Sequence, residues 1–225
     1  MPAQEEPLPL DQFIDLYCER TQPGFWGEPA NAVTNLAFLI GAWVAWSTMR
    51  KAQRPLPAAI RVLPLSMALV GVFSFLFHTL AVLWSAMADQ LFILLFGCLF
   101  LYAFLRHCAS TPVLLAVVAA VVFGVASYFT PRLLPPGWLN RSGGYLPYLV
   151  GLACMTAWLA RHKRPATRAF VGASALFGVA LVLRTADQAW CQQFPLGTHF
   201  LWHLLNGGVL ALLTLALLSD VERMR

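Results

Sequence analysis

Charge is what this chain has least of. Only 11% of its 225 residues are Asp, Glu, Lys or Arg, against about a quarter in soluble domains. That deficit excludes a water-exposed globular enzyme, as do 59% hydrophobic residues and a mean hydropathy of +0.68. The start of the chain has no basic n-region and no apolar h-region. Met1 to Leu16 instead carries Glu5, Glu6, Asp11 and Asp15, so no cleavable signal peptide is expected. No repeat or low-complexity tract stands out. The net charge of +5 is spread between apolar segments, where basic residues orient a membrane protein and meet anionic headgroups. Nucleic acid is therefore not an expected partner, and no protein partner can be inferred.

What fills the chain is apolar sequence. Seven segments are expected near Asn31–Met49, Ile60–Leu83, Ala86–Leu105, Pro112–Phe129, Gly144–Ala160, Arg168–Leu183 and Thr198–Leu218. Each is close to the roughly 20 residues that cross a bilayer as a helix. Proline-rich or charged connectors separate them. The expected architecture is all-α: one seven-transmembrane helix bundle, with a segment 1–30 before it, the bundle over 31–218 and a tail over 219–225. Arg50, Lys51, Arg54 and Arg61 lie in the first connector, Arg106 in the third, and Arg161, Lys163, Arg164 and Arg168 in the fifth. With Arg223 and Arg225 in the tail they place that side, and the C-terminus, in the cytoplasm. The N-terminus is then extracytoplasmic, on the side holding only Arg20, Arg132, Arg141 and Arg184.

This orientation gives depth to the ionisable residues. Ser74 and His78 fall in the outer third of the second span, and Asp89 in the first turn of the third. His199 and His203 occupy the first two turns of the seventh. Residues four apart share a helical face, so Ser74 projects beside His78, and His199 beside His203. Three neutral imidazoles from two spans suit one zinc ion with a fourth position left for water. Asp89 would be the general base and Ser74 a donor to a developing oxyanion. The set fits metal-assisted hydrolysis of an amide or ester in a lipid. Cys18 and Cys191 fall on the same extracytoplasmic side, where a disulfide between them is chemically allowed, although spacing alone does not fix the pairing. Cys98, Cys108 and Cys154 read as packing residues.

Blander readings exist for each residue. An intramembrane His commonly hydrogen-bonds between helices. Asp89 has Arg184 as an alternative partner. Arg184 and Asp187 read first as an i,i+3 ion pair, with contact to a polar headgroup as the alternative. Trp202 reads as an interfacial anchor, and His107 and His162 as surface residues.

Three blocks carry a family resemblance: Tyr17-Cys18-Glu19-Arg20 with Glu28-Pro29-Ala30-Asn31-Ala32-Val33-Thr34-Asn35; Ser74-Phe75-Leu76-Phe77-His78 continuing to Ala88-Asp89-Gln90; and Thr198-His199-Phe200-Leu201-Trp202-His203. Their order and spacing resemble the alkaline ceramidase family, within the superfamily of seven-span metal-dependent membrane hydrolases that also includes progestin and adiponectin receptors. The resemblance implies zinc held by His78, His199 and His203, with Asp89 activating water and Ser74 stabilising the oxyanion. It implies cleavage of the N-acyl bond of a ceramide-like membrane lipid to a fatty acid and a sphingoid base, and a Cys18–Cys191 bridge. It further implies calcium held by Glu19, Glu28 and the Tyr17 carbonyl. For calcium the chain departs from the pattern: Leu16 stands where an Asp is expected, with Asp15 adjacent, and the stretch from Glu19 to Glu28 is shorter. Calcium takes six or more oxygens. Gln90 also follows Asp89 where eukaryotic members have Glu.

Two other classes remain as alternatives: a non-catalytic receptor-like bundle with a structural zinc, and a bis-histidine haem protein. The expected location is a multi-pass integral membrane protein. That is the cell (inner) membrane in a bacterium or the endoplasmic reticulum or Golgi in a eukaryote, with the site toward the extracytoplasmic leaflet.

Overall fold

The computed structural model describes residues 9–135 and 137–224; Glu5, Glu6 and Arg225 of the charge pattern lie outside the described residues. Seven spans are present, each long and apolar enough to cross a membrane, and no strand occurs among the described residues. The first span is α1 (Pro29–Thr34) with α2 (Leu36–Met49), and the second is α3 (Ala58–Arg61) with α4 (Leu63–Leu80). The third is α5 (Leu83–His107) and the fourth α6 (Val113–Leu133). A run of 3-10 turns over Trp138–Tyr145 leads into α7 (Leu146–Arg161), the fifth. The sixth is α8 (Thr167–Ala186), and α9 (His199–Arg223) is the seventh.

Consecutive spans pack side by side, and α9 closes the ring by packing against both α8 and α2. Such closure leaves one face of each helix for the interior and one for lipid. On α6 the outward face is a dense row of exposed aliphatics, among them Leu114, Val118, Val121 and Val125. That helix is apolar all round, as expected of a span with little protein around it. By contrast α9 is the most enclosed of the seven.

The boundary between the second and third spans differs from expectation. Leu83 starts the third helix rather than ending the second. Ala81 takes a left-handed conformation (φ 49°) and Val82 is extended, so two residues turn the chain. Phe13 bridges to Val82, and the amide of Ile14 donates to the Ala81 carbonyl. No Gly or Pro marks this turn, which is why the sequence conceals it. Asp89 consequently lies in the second turn of α5.

Among the cysteines, Cys98 is half-buried and Cys108 buried, while Cys154 is exposed on the outside of α7, contrary to the packing role expected of it. Cys108 donates to Asp220 Oδ2 (2.8 Å), and Arg164 pairs with the same carboxylate at 2.6 Å. Burial and the Asp220 charge push the Cys108 thiol well above its usual range. This cluster ties the ends of α5, α7 and α9 together far from the histidines.

At the other end, Cys18 and Cys191 form the expected disulfide. Beside it Asp187, fully buried, does not pair with Arg184. Its Oδ1 accepts the amides of Thr198 (2.6 Å) and His199 (2.9 Å), and its Oδ2 accepts the amide of Cys18 (3.0 Å). A carboxylate at the opening of α9 satisfies donors that have no intrahelical acceptor and lies at the positive end of the helix dipole. Gly197, at φ 67°, carries no Cβ where one would stand 2.2 Å from Asp187 Oδ1, so only glycine lets the carboxylate approach.

Removing that acceptor strands three buried N–H groups. Asp187→Ala is expected to destabilise the protein by about 3 kcal/mol, read as a lowered unfolding temperature in detergent micelles. Cys191→Ser, which leaves the carboxylate in place, should lose less. Equal losses would show that the bridge and not the cap holds this end.

Candidate metal and hydrolase site

His78 comes from the last turn of α4, where it shares a buried face with Ser74. His199 and His203 come from the first two turns of α9. Their rings pack together, with centroids 5.2 Å apart for His78–His199, 4.7 Å for His78–His203 and 4.6 Å for His199–His203. One ring nitrogen from each lies within 4.8 Å of the others, the one such cluster among the described residues. All three are buried. The approach of α9 to α2 that places His203 depends on Gly207, where a Cβ would stand 2.7 Å from that of Ala37.

Hydrogen bonds fix which ring atoms are free. His78 Nδ1 lies 2.6 Å from Glu28 Oε2. An ionised carboxylate only accepts, so Nδ1 carries the proton in this contact and Nε2 is the nitrogen left to face a metal. His203 Nδ1 lies 3.0 Å from Thr34 Oγ1. The Thr34 hydroxyl donates to the Ala30 carbonyl (2.7 Å) and so accepts from His203, again leaving Nε2 free. His199 stacks on Tyr17 at 3.6 Å between centroids, and its Nδ1 is buried without a partner. Three buried imidazoles with one nitrogen of each close together, and one ring nitrogen orphaned, fit zinc. Carboxylate–histidine contacts of this kind orient metal ligands.

Asp89, on α5, is buried, and its charge acts on His78 through space. Gln90 Nε2 donates to Oδ2 at 3.1 Å, while Oδ1 has no partner. Ser74 stands close enough to act on the same carboxylate. Asp89 forms no ion pair with Arg184. The site thus holds a carboxylate with one unengaged oxygen and a hydroxyl beside it.

Beneath the histidines lies an apolar cavity, lined at its upper end by Tyr145, Trp202 and Asn206 and deeper by Phe96, Phe100 and Leu213. Trp202 is 5% exposed and packs on Tyr145 and Phe177. It is an inner wall and not an interfacial anchor.

The residues offered for calcium have other occupations. Glu19 accepts the amides of Ala30 (2.6 Å) and Asn31 (2.8 Å) and so closes the opening turn of α1. Glu28 immediately precedes α1 but turns away, accepting from Arg20 Nε (2.6 Å), Asn31 Nδ2 (2.9 Å) and His78. Burial alone would raise the Glu28 carboxyl. The His78, Arg20 and Asn31 hydrogen bonds outweigh it and hold the group below the usual range. The Tyr17 carbonyl accepts the Arg20 amide. Every carboxylate oxygen here already receives an N–H, and a guanidinium sits against Glu28, so this set does not fit calcium.

Sequence reasoning missed the Glu28–His78 and Thr34–His203 contacts, the Tyr17 ring on His199, and Tyr145. Glu28 and Thr34 lie in the first of the three family-like blocks, but nothing in that block says which histidine each would face.

The structure is thus that of a multi-pass helical membrane protein with a buried three-histidine cluster and an apolar cavity beneath it. The chain matches the ceramidase family over residues 17–224, nearly its whole length, and belongs to that family. No individual curated protein matches it.

Glu28→Gln keeps the shape but weakens the hold on His78, and zinc affinity is expected to fall about 10- to 100-fold in competition with a chelator. Calcium at millimolar concentration should not raise the unfolding temperature. A bound ion would raise it by mass action.

Proposed function

We propose that the protein is a zinc-dependent amidohydrolase that cleaves the N-acyl bond of ceramide-like lipids, giving a free fatty acid and a sphingoid base. Family membership makes it a hydrolase of amide bonds. The observation that carries the finer reading is the convergence of the three imidazoles on the spot flanked by Asp89 and Ser74. His78, His199 and His203 would hold a zinc ion, which when bound would supply Lewis acidity and lower the pKa of water to about 7.

The chain's own groups do the rest. Asp89 Oδ1, without a partner, takes the proton of the attacking water and passes it to the leaving nitrogen, as a general base and then acid. The Ser74 hydroxyl donates to the oxygen that gains charge as the carbonyl becomes tetrahedral. The apolar cavity receives an acyl chain and excludes water. Tyr145 and Trp202 position the amide where the cavity meets the histidines. Calcium has no part in this scheme.

The reading places the site in the extracytoplasmic leaflet. Its support is the distribution of Lys and Arg, which lie mainly at the bundle end away from the histidines. A haem protein is disfavoured by the packing of the three rings, which leaves no room for a macrocycle between His199 and His203. A purely structural zinc leaves Asp89 Oδ1 without a purpose.

The test is turnover of N-acyl-sphingoid lipids by purified protein, with metal content measured in parallel. Wild type should hold about one zinc per chain and release fatty acid. His203→Ala should lose both. Asp89→Asn should keep the metal and lose on the order of a thousandfold or more in kcat. Loss of zinc from Asp89→Asn would make Asp89 a ligand, and undiminished turnover by His203→Ala would refute the metal mechanism.

A further inference from the structure

Arg184, in the last turn of α8, is a buried cation with no anion in ion-pair contact, the Asp89 carboxylate reaching it only through space. It is 6% exposed. Its Nη1 donates to Ser142 Oγ (2.7 Å) and to the Asn140 carbonyl (3.4 Å), and its Nη2 to the Tyr17 hydroxyl (3.4 Å). All three acceptors are neutral. Nε has no partner at all. None of the ion pairs among the described residues includes it. Asp187, the partner that spacing suggests, is committed to the opening of α9. A charge removed from water without a counter-charge in contact is costly, so this arrangement suits a ligand that supplies one.

The position defines that ligand. Arg184 lines a polar recess with Tyr17, Asn140, Arg141 and Gln188, and Asp15 also contributes to its wall. The guanidinium also lies 5.1 Å from the Tyr145 ring centroid and 5.7 Å from that of Trp202, two residues that cap the apolar cavity. Tyr17 joins the recess to the metal site, since its ring stacks on His199. The guanidinium therefore stands where the polar end of a lipid would lie when its acyl chain fills the cavity and its amide meets the histidines. A guanidinium with open donor capacity on a neutral polar frame recognises a planar or tetrahedral oxyanion.

We infer that Arg184 is a specificity determinant that binds an anionic oxygen group, such as a carboxylate, sulfonate or phosphate, on the polar end of the N-acyl lipid close to the scissile amide. The inference rests on reading the histidine cluster as an N-acyl amide hydrolase. The same oxyanion chemistry is offered by the fatty acid released in the reaction, and the experiment separates the two sources.

The probes are N-hexadecanoyl-serine and its neutral counterpart N-hexadecanoyl-serinol, which differ by a carboxylate in place of a hydroxymethyl group. Wild type is expected to favour the serine compound by about 10- to 100-fold in kcat/KM, and Arg184→Gln to bring the ratio near unity. Equal turnover of the two by wild type overturns the inference, and that comparison does not depend on whether the variant folds. A binding arm uses Asp89→Asn, with hexadecanoate as a third ligand. The serine compound should bind at least about tenfold more tightly than serinol, with hexadecanoate no tighter than serinol. Hexadecanoate binding as tightly as the serine compound would assign Arg184 to the product carboxylate and overturn the headgroup role. If neither amide is cleaved while the binding difference persists, the anion site stands, and turnover of N-acyl-sphingoid lipids by the same sample decides the hydrolase reading separately.

Discussion

Glu28 has no access to water and an N–H donor on each of its oxygens, and the histidine cluster depends on how that carboxylate is held. It joins Arg20 of the N-terminal segment, Asn31 of α1 and His78 of α4. Take away Arg20 and the Glu28 carboxylate loses the cation paired with it inside an apolar bundle. Take away Glu28 and His78 is free to rotate or to change tautomer. Buried charge is tolerated here because each oxygen of the Glu28 carboxylate receives an N–H donor. The Arg20 guanidinium extends it further, donating to the backbone carbonyl of His78 itself (2.8 Å). One side chain thus fixes both the carboxylate that orients the ring and the backbone that carries it.

The N-terminal segment is accordingly part of the site. It is the stretch outside the seven spans with the most polar ties to them: Tyr17 on His199, Cys18 on Asp187 and Cys191, Glu19 on the first turn of α1, and Phe13 on Val82. Irregular backbone at membrane depth survives only when its polar groups are satisfied by protein. Here the satisfaction is mutual, because the segment closes helix ends whose amides would otherwise be orphans. Burial pushes the Tyr17 hydroxyl well up from its ordinary value, so it stays protonated as a wall of the site.

The seven helices were legible because hydrophobic runs of spanning length leave few alternatives. The meeting of the histidines was legible because residues four apart on a helix share a face, and Ser74 likewise falls on the buried face of His78. Contacts of the non-helical segment were not. Nothing in the local sequence tells whether Glu28 closes α1 or turns to His78, and Glu19 proved to take the capping role instead. Arg184 and Asp187 show the same limit from the other side. An i,i+3 pair on a helix reads as an ion pair, but the helix gives way to a 3-10 turn at Asp187. That turn swings the carboxylate toward α9, and the pairing is lost.

The two buried arginines of the site end then differ in a way that separates structure from recognition. Arg20 meets an ionised carboxylate at 2.6 Å, and its electrostatic demand is met within the protein. Arg184 meets hydroxyls, a carbonyl and aromatic faces, each a weaker partner than an anion. If both arginines served only the fold, the cheaper solution at the second position would be an apolar side chain, since replacing a buried charge by hydrophobic packing is often stabilising. Keeping a guanidinium beside the histidine cluster, on a frame that leaves one donor without a partner, makes sense when the missing charge arrives with the ligand. The ring of helices supplies the apolar chamber, the N-terminal segment holds the imidazoles, and the open side of α8 is left to discriminate what enters.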